Sequence, residues 1–105
     1  MVERRWIEDL LVDEVRLRCS YRRQGKQILQ FTVQLEVYCR GVWQSVVRYD
    51  NAHGFCHRDV LDPDGSQDKT RVFVGDLNAT FTHAITDLQA GWRLHRDRFL
   101  REMLA

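Results

Sequence analysis

Alternating apolar and polar residues dominate the first half of the chain and predict three successive β-strands. Val15 to Arg22 alternates strictly, and Gln24-Gly25-Lys26 then signals a turn. The alternation resumes from Leu29 to Cys39, which is the longest and clearest run in the sequence. Gly41 interrupts it, and Val42 to Asp50 is typical of a third strand joined by a tight hairpin. Three consecutive strands of this kind imply an antiparallel meander.

The third strand and the residues after it carry further strand signals. In the third strand, one face is predicted to hold Trp43, Val47 and Tyr49, and the other Val46, Arg48 and Asp50. A turn at 51–54 precedes a fourth strand predicted at Phe55 to Leu61. A loop at 62–66 separates it from a short fifth strand predicted at Thr70 to Val74. The pattern therefore predicts a sheet of four to five strands.

The last part of the chain changes to a helical period. From Asn78, the expected N-cap, to Ala105, apolar residues recur at steps of three and four. The stripe consists of Phe81, Ala84, Ile85, Leu88, Trp92, Phe99 and Met103. We expect Trp92 and Phe99 to be buried against the second predicted strand, because the stripe has no other large apolar surface to cover. His95 lies on the same stripe and is expected to be a hydrogen-bonded core residue.

Length and composition fit this architecture. A chain of 105 residues has the size of a single domain, residues 1–105, and its 44% apolar and 30% charged residues exclude wholesale disorder. The fold class predicted is α+β, with an antiparallel meander sheet packed against one long C-terminal helix. A net charge of +1 excludes a generally basic protein, although the first quarter is rich in arginine. Clusters of this kind either bind phosphate or form a solvated strand face.

The sequence also bears on location and thiol chemistry. The first residues lack the apolar core of a signal peptide, and no run approaches the length of a membrane span. A cytoplasmic protein without membrane contact is expected. Cys19, Cys39 and Cys56 form no CxxC pair, which favours reduced thiols over a disulfide framework.

The unusual segment is Arg48 to Asp59, in which two histidines, two carboxylates and two arginines surround a turn. Alternation places Arg48 and Asp50 on one face of the third strand, and His57 and Asp59 on one face of the fourth. A direct hairpin would bring all four side chains together.

This set of side chains has three possible interpretations, two of them chemical and one structural. Histidine suits general acid–base catalysis, a carboxylate can orient it, and arginine can neutralise a phosphorane-like transition state, which together suffice for metal-independent RNA cleavage. A metal site using His53, His57 and either Asp50 or Asp59 is a second interpretation. In the third, Arg48 and Asp50 form a structural ion pair at a hairpin end and the histidines are surface residues.

The residues of this segment also carry a resemblance to known protein families. The Arg-Tyr-Asp-Asn sequence at 48–51, the turn containing His53 and Gly54, and the pair His57-Arg58 resemble small prokaryotic proteins of uncharacterised families. The segment is similar to the TumE-type toxins of toxin–antitoxin systems, and the resemblance covers mainly Val33 to Asp59. It implies a toxin paired with a neighbouring antitoxin.

The leading hypothesis is therefore a TumE-like toxin component that acts on RNA and needs no cofactor. The predicted catalytic residues are His53 and His57 as acid and base with Asp50 and Asp59 as orienting carboxylates, and the predicted phosphate-binding residues are Arg48 and Arg58. The expected partners are a cognate antitoxin, RNA and a second copy of the chain in a homo-oligomer. The alternative, from another class, is a non-catalytic protein-interaction module of the same fold, with the polar segment as a structural turn.

Overall fold

The computed structural model describes residues 1–52 and 54–105. Within these ranges it contains six strands and one helix: β1 (Val2–Leu11), β2 (Val15–Gln24), β3 (Gln27–Cys39), β4 (Val42–Asp50), β5 (His57–Leu61), β6 (Gln67–Arg71) and α1 (Leu77–Leu104). The strands lie in the sheet in chain order, and each neighbouring pair is antiparallel. The α+β class, the meander and the long C-terminal helix are confirmed. The predicted number of four to five strands is wrong.

The two edge strands account for this difference. β1 was not predicted, because charged residues lie on both of its faces and most of its side chains are exposed. β6 consists entirely of exposed polar residues and lies at 67–71, before most of the segment predicted for the fifth strand. An edge strand pairs on one side only and does not need an apolar face, so its sequence carries little periodic signal.

A bulge in β4 changes which residues share a face. Leu35 pairs with Val47, whereas the next residue of β3, Glu36, pairs with Ser45, so Val46 is the extra residue. A shift of one residue sends the side chains beyond it to the other face. The predicted grouping of Trp43 with Val47 and Tyr49 is therefore wrong. Trp43 instead lies under the guanidinium of Arg16, whose central carbon is 3.9 Å from the ring centroid.

The core lies between one face of the sheet and α1. It contains Val15, Leu17 and Cys19 of β2, Phe31, Val33, Leu35 and Val37 of β3, Val47 and Tyr49 of β4, and Ala84, Leu88, Trp92 and Phe99 of α1. Trp92 and Phe99 are only 4% and 2% exposed, which confirms the predicted burial of the helix stripe. Burying such side chains contributes about 1.5–3 kcal/mol each.

Both ends of α1 are fastened to the sheet region. The N-cap is Asp76, whose side chain accepts a hydrogen bond from Ala79 N at 2.9 Å, so the predicted cap at Asn78 is wrong. Asn78 lies in the first turn and its Oδ1 accepts from Ile28 N at 2.9 Å. Near the other end, Arg98 donates to Asp62 Oδ1 at 2.6 Å. These contacts hold the helix across the sheet.

The sheet thus has a covered face, which packs against α1, and an open face on the opposite side. The open face includes two cross-strand rows of side chains. The first row is Arg5, Ser20, Thr32, Asp50, His57 and Arg71, and the second row is Ile7, Arg18, Gln34, Arg48, Asp59 and Lys69. Within residues 1–52 and 54–105, no helix combines the length and the apolar character needed to cross a membrane.

Candidate functional site

The register between β4 and β5 assembles the candidate site. Arg48 lies opposite Asp59, and Asp50 lies opposite His57. Residues directly opposite each other in an antiparallel pair project to the same face. The expected convergence of these four side chains is therefore confirmed, and the face that they share is the open one. His53, the other predicted catalytic histidine, lies outside the described residues.

The imidazole of His57 lies between two carboxylates. Its Nε2 is 3.1 Å from Asp50 Oδ1, and its Nδ1 is 3.4 Å from Asp59 Oδ1. Asp50 Oδ1 also accepts a hydrogen bond from Ala52 N at 3.0 Å, which fixes this carboxylate at the start of the turn. The two acidic side chains thus orient the ring from opposite sides. This Asp50, His57 and Asp59 set is called the His57 cluster below.

Two members of the cluster are deeply buried although α1 lies on the other face of the sheet. His57 is 2% exposed and Asp59 is 3% exposed. Phe55 packs edge to face against the His57 ring with centroids 5.8 Å apart, and the Arg71 guanidinium lies 4.1 Å from the centroid of Phe55. Lys69 Nζ approaches Asp59 Oδ1 at 3.8 Å. The imidazole ring of His57 therefore has almost no surface open to solvent in this arrangement.

A hydrogen-bond network extends from Arg48 across the open face. Arg48 Nε donates to Gln34 Oε1 at 2.8 Å, and Gln34 Nε2 donates to Glu36 Oε2 at 2.7 Å. Glu36 also accepts from Arg16 Nε at 2.7 Å and from Arg18 Nε at 3.2 Å. Burial alone would raise the pKa of Glu36, but these hydrogen bonds outweigh it and lower the pKa below its usual value. The network therefore holds Arg48 in a fixed position beside the His57 cluster.

The His57 cluster has the donor set of a metal site. Asp50, His57 and Asp59 each offer one ligand atom, and these atoms lie within 4.8 Å of one another. Carboxylate oxygen and imidazole nitrogen suit zinc or manganese. The close approach of Asp50 Oδ1 to Nε2 is compatible with two ligands of one ion, and Asp59 would then orient the imidazole through Nδ1. The same geometry also suits proton transfer by the imidazole of His57, with Asp59 orienting the ring.

Arg58 does not join the other predicted site residues. It pairs with Tyr49, whose side chain lies in the core, and so Arg58 projects to the covered face. The sheet separates it from Arg48, so the two predicted phosphate-binding arginines lie on opposite faces of the sheet. The physical reason is the alternation of β5, which sends the residue between His57 and Asp59 to the opposite side.

Arg58 instead belongs to a polar seam between the sheet and the helix. Tyr49 Oη donates to Asp87 Oδ2 at 2.6 Å. Burial, together with the charge and hydrogen bond of Asp87, raises the pKa of Tyr49 to about 12, although Arg58 opposes the shift. Burial and the positive charges of Arg58 and Arg98 lower the pKa of His95, with Asp87 opposing them. His95 is half-buried at this seam, not in the centre of the core.

Sequence reasoning missed several residues that shape the site. Gln34 and Glu36 position Arg48, and Lys69 and Arg71 contact the cluster or its cover from β6. The outward polar positions of β3 were visible as alternation, but their partners depend on the register with β4. The contribution of β6 could not be recognised in the same way, because all of its residues are polar and exposed and show no alternation of apolar and polar positions.

Comparison with known proteins identifies a family but no individual protein. Neither a curated protein nor a solved structure matches the chain. The family model described as Domain of unknown function (DUF7718) matches residues 1–104, which include all six strands and the helix. The chain therefore belongs to the DUF7718 family.

Proposed function

We propose that this protein is a TumE-like toxin component that cleaves RNA by histidine acid–base chemistry without a metal ion. The observation that supports the proposal most is the position of His57 between Asp50 and Asp59, with Arg48 in the adjacent row of the same face. A positioned histidine can accept the proton of the RNA 2′-hydroxyl, and a nearby arginine can stabilise the negative charge of the phosphorane.

In the proposed reaction, the RNA 2′-hydroxyl attacks the adjacent phosphorus and the bond from phosphorus to the 5′-oxygen breaks. His57 Nε2 takes the proton of the hydroxyl while Asp59 orients the ring through Nδ1. Asp50 Oδ1 lies 3.1 Å from Nε2, so this carboxylate either relays the proton or gives up its place to the hydroxyl. His53 is the proposed acid that protonates the leaving 5′-oxygen, and Arg48 stabilises the phosphorane charge. The products are a 2′,3′-cyclic phosphate and a 5′-hydroxyl.

The toxin assignment rests on the resemblance carried by residues 48–51, the His53-Gly54 turn and the His57-Arg58 pair. A cognate antitoxin encoded by a neighbouring gene is the proposed protein partner, and a second copy of the chain is a further one. Expression with and without that gene tests this part: growth arrest that the neighbouring gene relieves is the expected result. Equal growth in both cases would contradict the toxin assignment and leave RNA cleavage to be tested separately.

The purified protein should cleave a labelled RNA in the presence of EDTA. We expect His57→Gln to lower the rate by about 10²–10⁴-fold, the usual contribution of a positioned proton-transfer group. His83→Gln is the matched control, because His83 is exposed on α1, on the other side of the sheet. Circular dichroism and the melting temperature establish that the variants are folded.

Two outcomes would contradict the proposed chemistry. An unchanged rate in folded His57→Gln protein would remove His57 from the reaction. Loss of activity in EDTA, together with a lower melting temperature, would assign the His57 cluster to a metal ion instead.

A non-catalytic protein-interaction module is the second candidate, and the burial of the cluster favours it. His57 and Asp59 are almost inaccessible and connect β4, β5 and β6, as a structural ion cluster would. In that case the purified protein cleaves no RNA with or without added metal, and His57→Gln lowers stability alone.

A further inference from the structure

A depression of about 460 Å³ lies on the open face, on the β1 to β3 side of the His57 cluster. The open-face side chains that line it are Arg5, Ile7, Arg18, Ser20, Thr32 and Gln34. It is formed where the two cross-strand rows pass over β1, β2 and β3. None of the residues named so far as catalytic lines it, so it is a separate surface from the cluster.

The depression and the His57 cluster are nevertheless continuous, because the same two rows form both. Thr32 of the depression is directly opposite Asp50, and Gln34 is directly opposite Arg48. Adjacent strands lie about 4.8 Å apart, so the strand carrying Thr32 is roughly 10 Å from the strand carrying His57. A chain molecule that crosses the strands can therefore occupy both places at once.

The polar side chains of the lining fit a polyanion with polar edges, and Ile7 adds apolar surface among them. Among the described residues that form the depression, two are arginines and none is acidic. The side chains of Arg5 and Arg18 are 77% and 52% exposed, and each already has an acidic partner: Arg5 donates to Glu3 Oε1 through Nε and Nη2, and Arg18 donates to Glu36 through Nε. Arg5 keeps Nη1 for a further contact. A guanidinium has five N–H donors, so Arg18 can keep this contact and present its terminal nitrogens to a phosphate. Ser20, Thr32 and Gln34 add groups that both donate and accept hydrogen bonds.

We infer that this depression binds the nucleotide next to the scissile phosphate of a single-stranded RNA that crosses the sheet along the two rows. Arg5 and Arg18 contact its phosphates, and Thr32 and Gln34 contact the edge of its base. A single strand is required, because base edges are accessible to side chains on a sheet only when they are unpaired. The inference rests on the proposed function and specifies how its substrate is held.

The test measures binding without cleavage. A labelled single-stranded RNA of about eight nucleotides, within the usual site size for such proteins, carries 2′-O-methyl groups that remove the nucleophile. Its affinity is measured by fluorescence anisotropy. We expect Arg5→Ala and Arg18→Ala each to weaken binding about tenfold and to reduce the slope of log K against log salt by about 0.7. Thr32→Val should weaken binding severalfold without a change in this slope, because it removes a base contact.

Arg4→Ala is the matched control, since Arg4 is an exposed arginine of the same strand that projects to the other face. It should bind as the wild type does. Melting temperatures establish that each variant is folded, and Arg18→Lys, which retains the charge, should recover part of the affinity.

The results separate this inference from the proposed reaction. Wild-type protein that fails to bind the oligonucleotide, binds duplex RNA equally well, or binds without dependence on Arg5 and Arg18 overturns the inference, even if RNA is cleaved. Binding that depends on both arginines, in a protein that cleaves no RNA, supports a single-stranded RNA site in the depression, but it overturns the ribonuclease proposal and with it the placement of the bound nucleotide next to a scissile phosphate.

Discussion

The covered and open faces of the sheet are made by the same strands and held together in different ways. On β3, Val33 and Leu35 face the helix and are fully buried, while Gln34 and Glu36 between and beside them face the open side. The covered face is stabilised by removal of apolar area from water, which is non-directional. The open face is ordered by hydrogen bonds and ion pairs, each of which depends on a particular register.

The comparison shows that burial does not require a second layer. Glu36, His57 and Asp59 become inaccessible on the open face because neighbouring side chains cover them. A buried charge is tolerated only when it is paired and hydrogen-bonded. The open face therefore combines fixed geometry with a location next to solvent, which a binding or catalytic surface needs, and the covered face supplies the rigid support.

The largest expected effect is on the covered face. Trp92→Ala should lower the free energy of unfolding by about 3–5 kcal/mol, because it removes a large buried side chain and leaves a cavity. The matched control is Leu94→Ala, two residues away on the same helix and 79% exposed, which should change stability by less than about 0.5 kcal/mol. Urea denaturation measures both. A loss under about 1 kcal/mol for Trp92→Ala would contradict the contrast between the faces.

A smaller effect is expected for the network of the open face. Glu36→Gln should cost about 1–3 kcal/mol, because Arg16, which is largely buried, loses the charge of its partner. The Arg18 contact adds little, since that side chain is about half exposed. Glu14→Gln, on an exposed glutamate, is the control. Equal stability of the two variants would show that the open face contributes no more than ordinary surface charge.

The smallest effect is a pH dependence at the seam between sheet and helix. The pKa of His95 is lowered in the folded state by burial and by Arg58 and Arg98, so the unfolded state binds more protons in weak acid. The corresponding stability is present above the unfolded pKa of 6.5 and is lost as the pH falls through the folded value. His95→Gln should flatten this part of the profile in thermal melts at a series of pH values. A profile identical to that of the wild type would remove His95 as its source.

The parts of the fold that were predicted are those in which one face is strongly buried. β2 and β3 alternate because residues such as Leu17, Val33 and Leu35 are buried in one core on the covered face. Leu29, which was also expected to face inward, is instead 42% exposed, because the pairing with β2 shifts by one residue there. β1 and β6 lack this constraint as edge strands, and the bulge at Val46 could not be recognised because two valines are adjacent there. The position of the bulge is set by the pairing of β4 with β3, and this pairing cannot be read from the sequence of β4 alone.

The candidate site was predictable to the extent that alternation determines it. The placement of Asp50 and His57 on a common face required only two strand periods and a returning turn. The same alternation already places Arg58 opposite to His57, so the sequence itself argued against grouping Arg58 with Arg48. Gln34 and Glu36 could not be identified as supports of Arg48, because their contact is set by the register of β3 with β4.

The order of the elements has a consequence for synthesis on the ribosome. Every strand after β1 pairs with the strand before it, so each hairpin can close as soon as both of its strands have emerged, whereas α1 follows all six strands. At about 5–20 residues per second, translation of the 28 residues of α1 takes roughly 1–6 s. During that interval the nascent sheet presents Leu17, Val33 and Leu35 without their cover. This is the period in which the growing chain is most open to chaperones and most prone to aggregate.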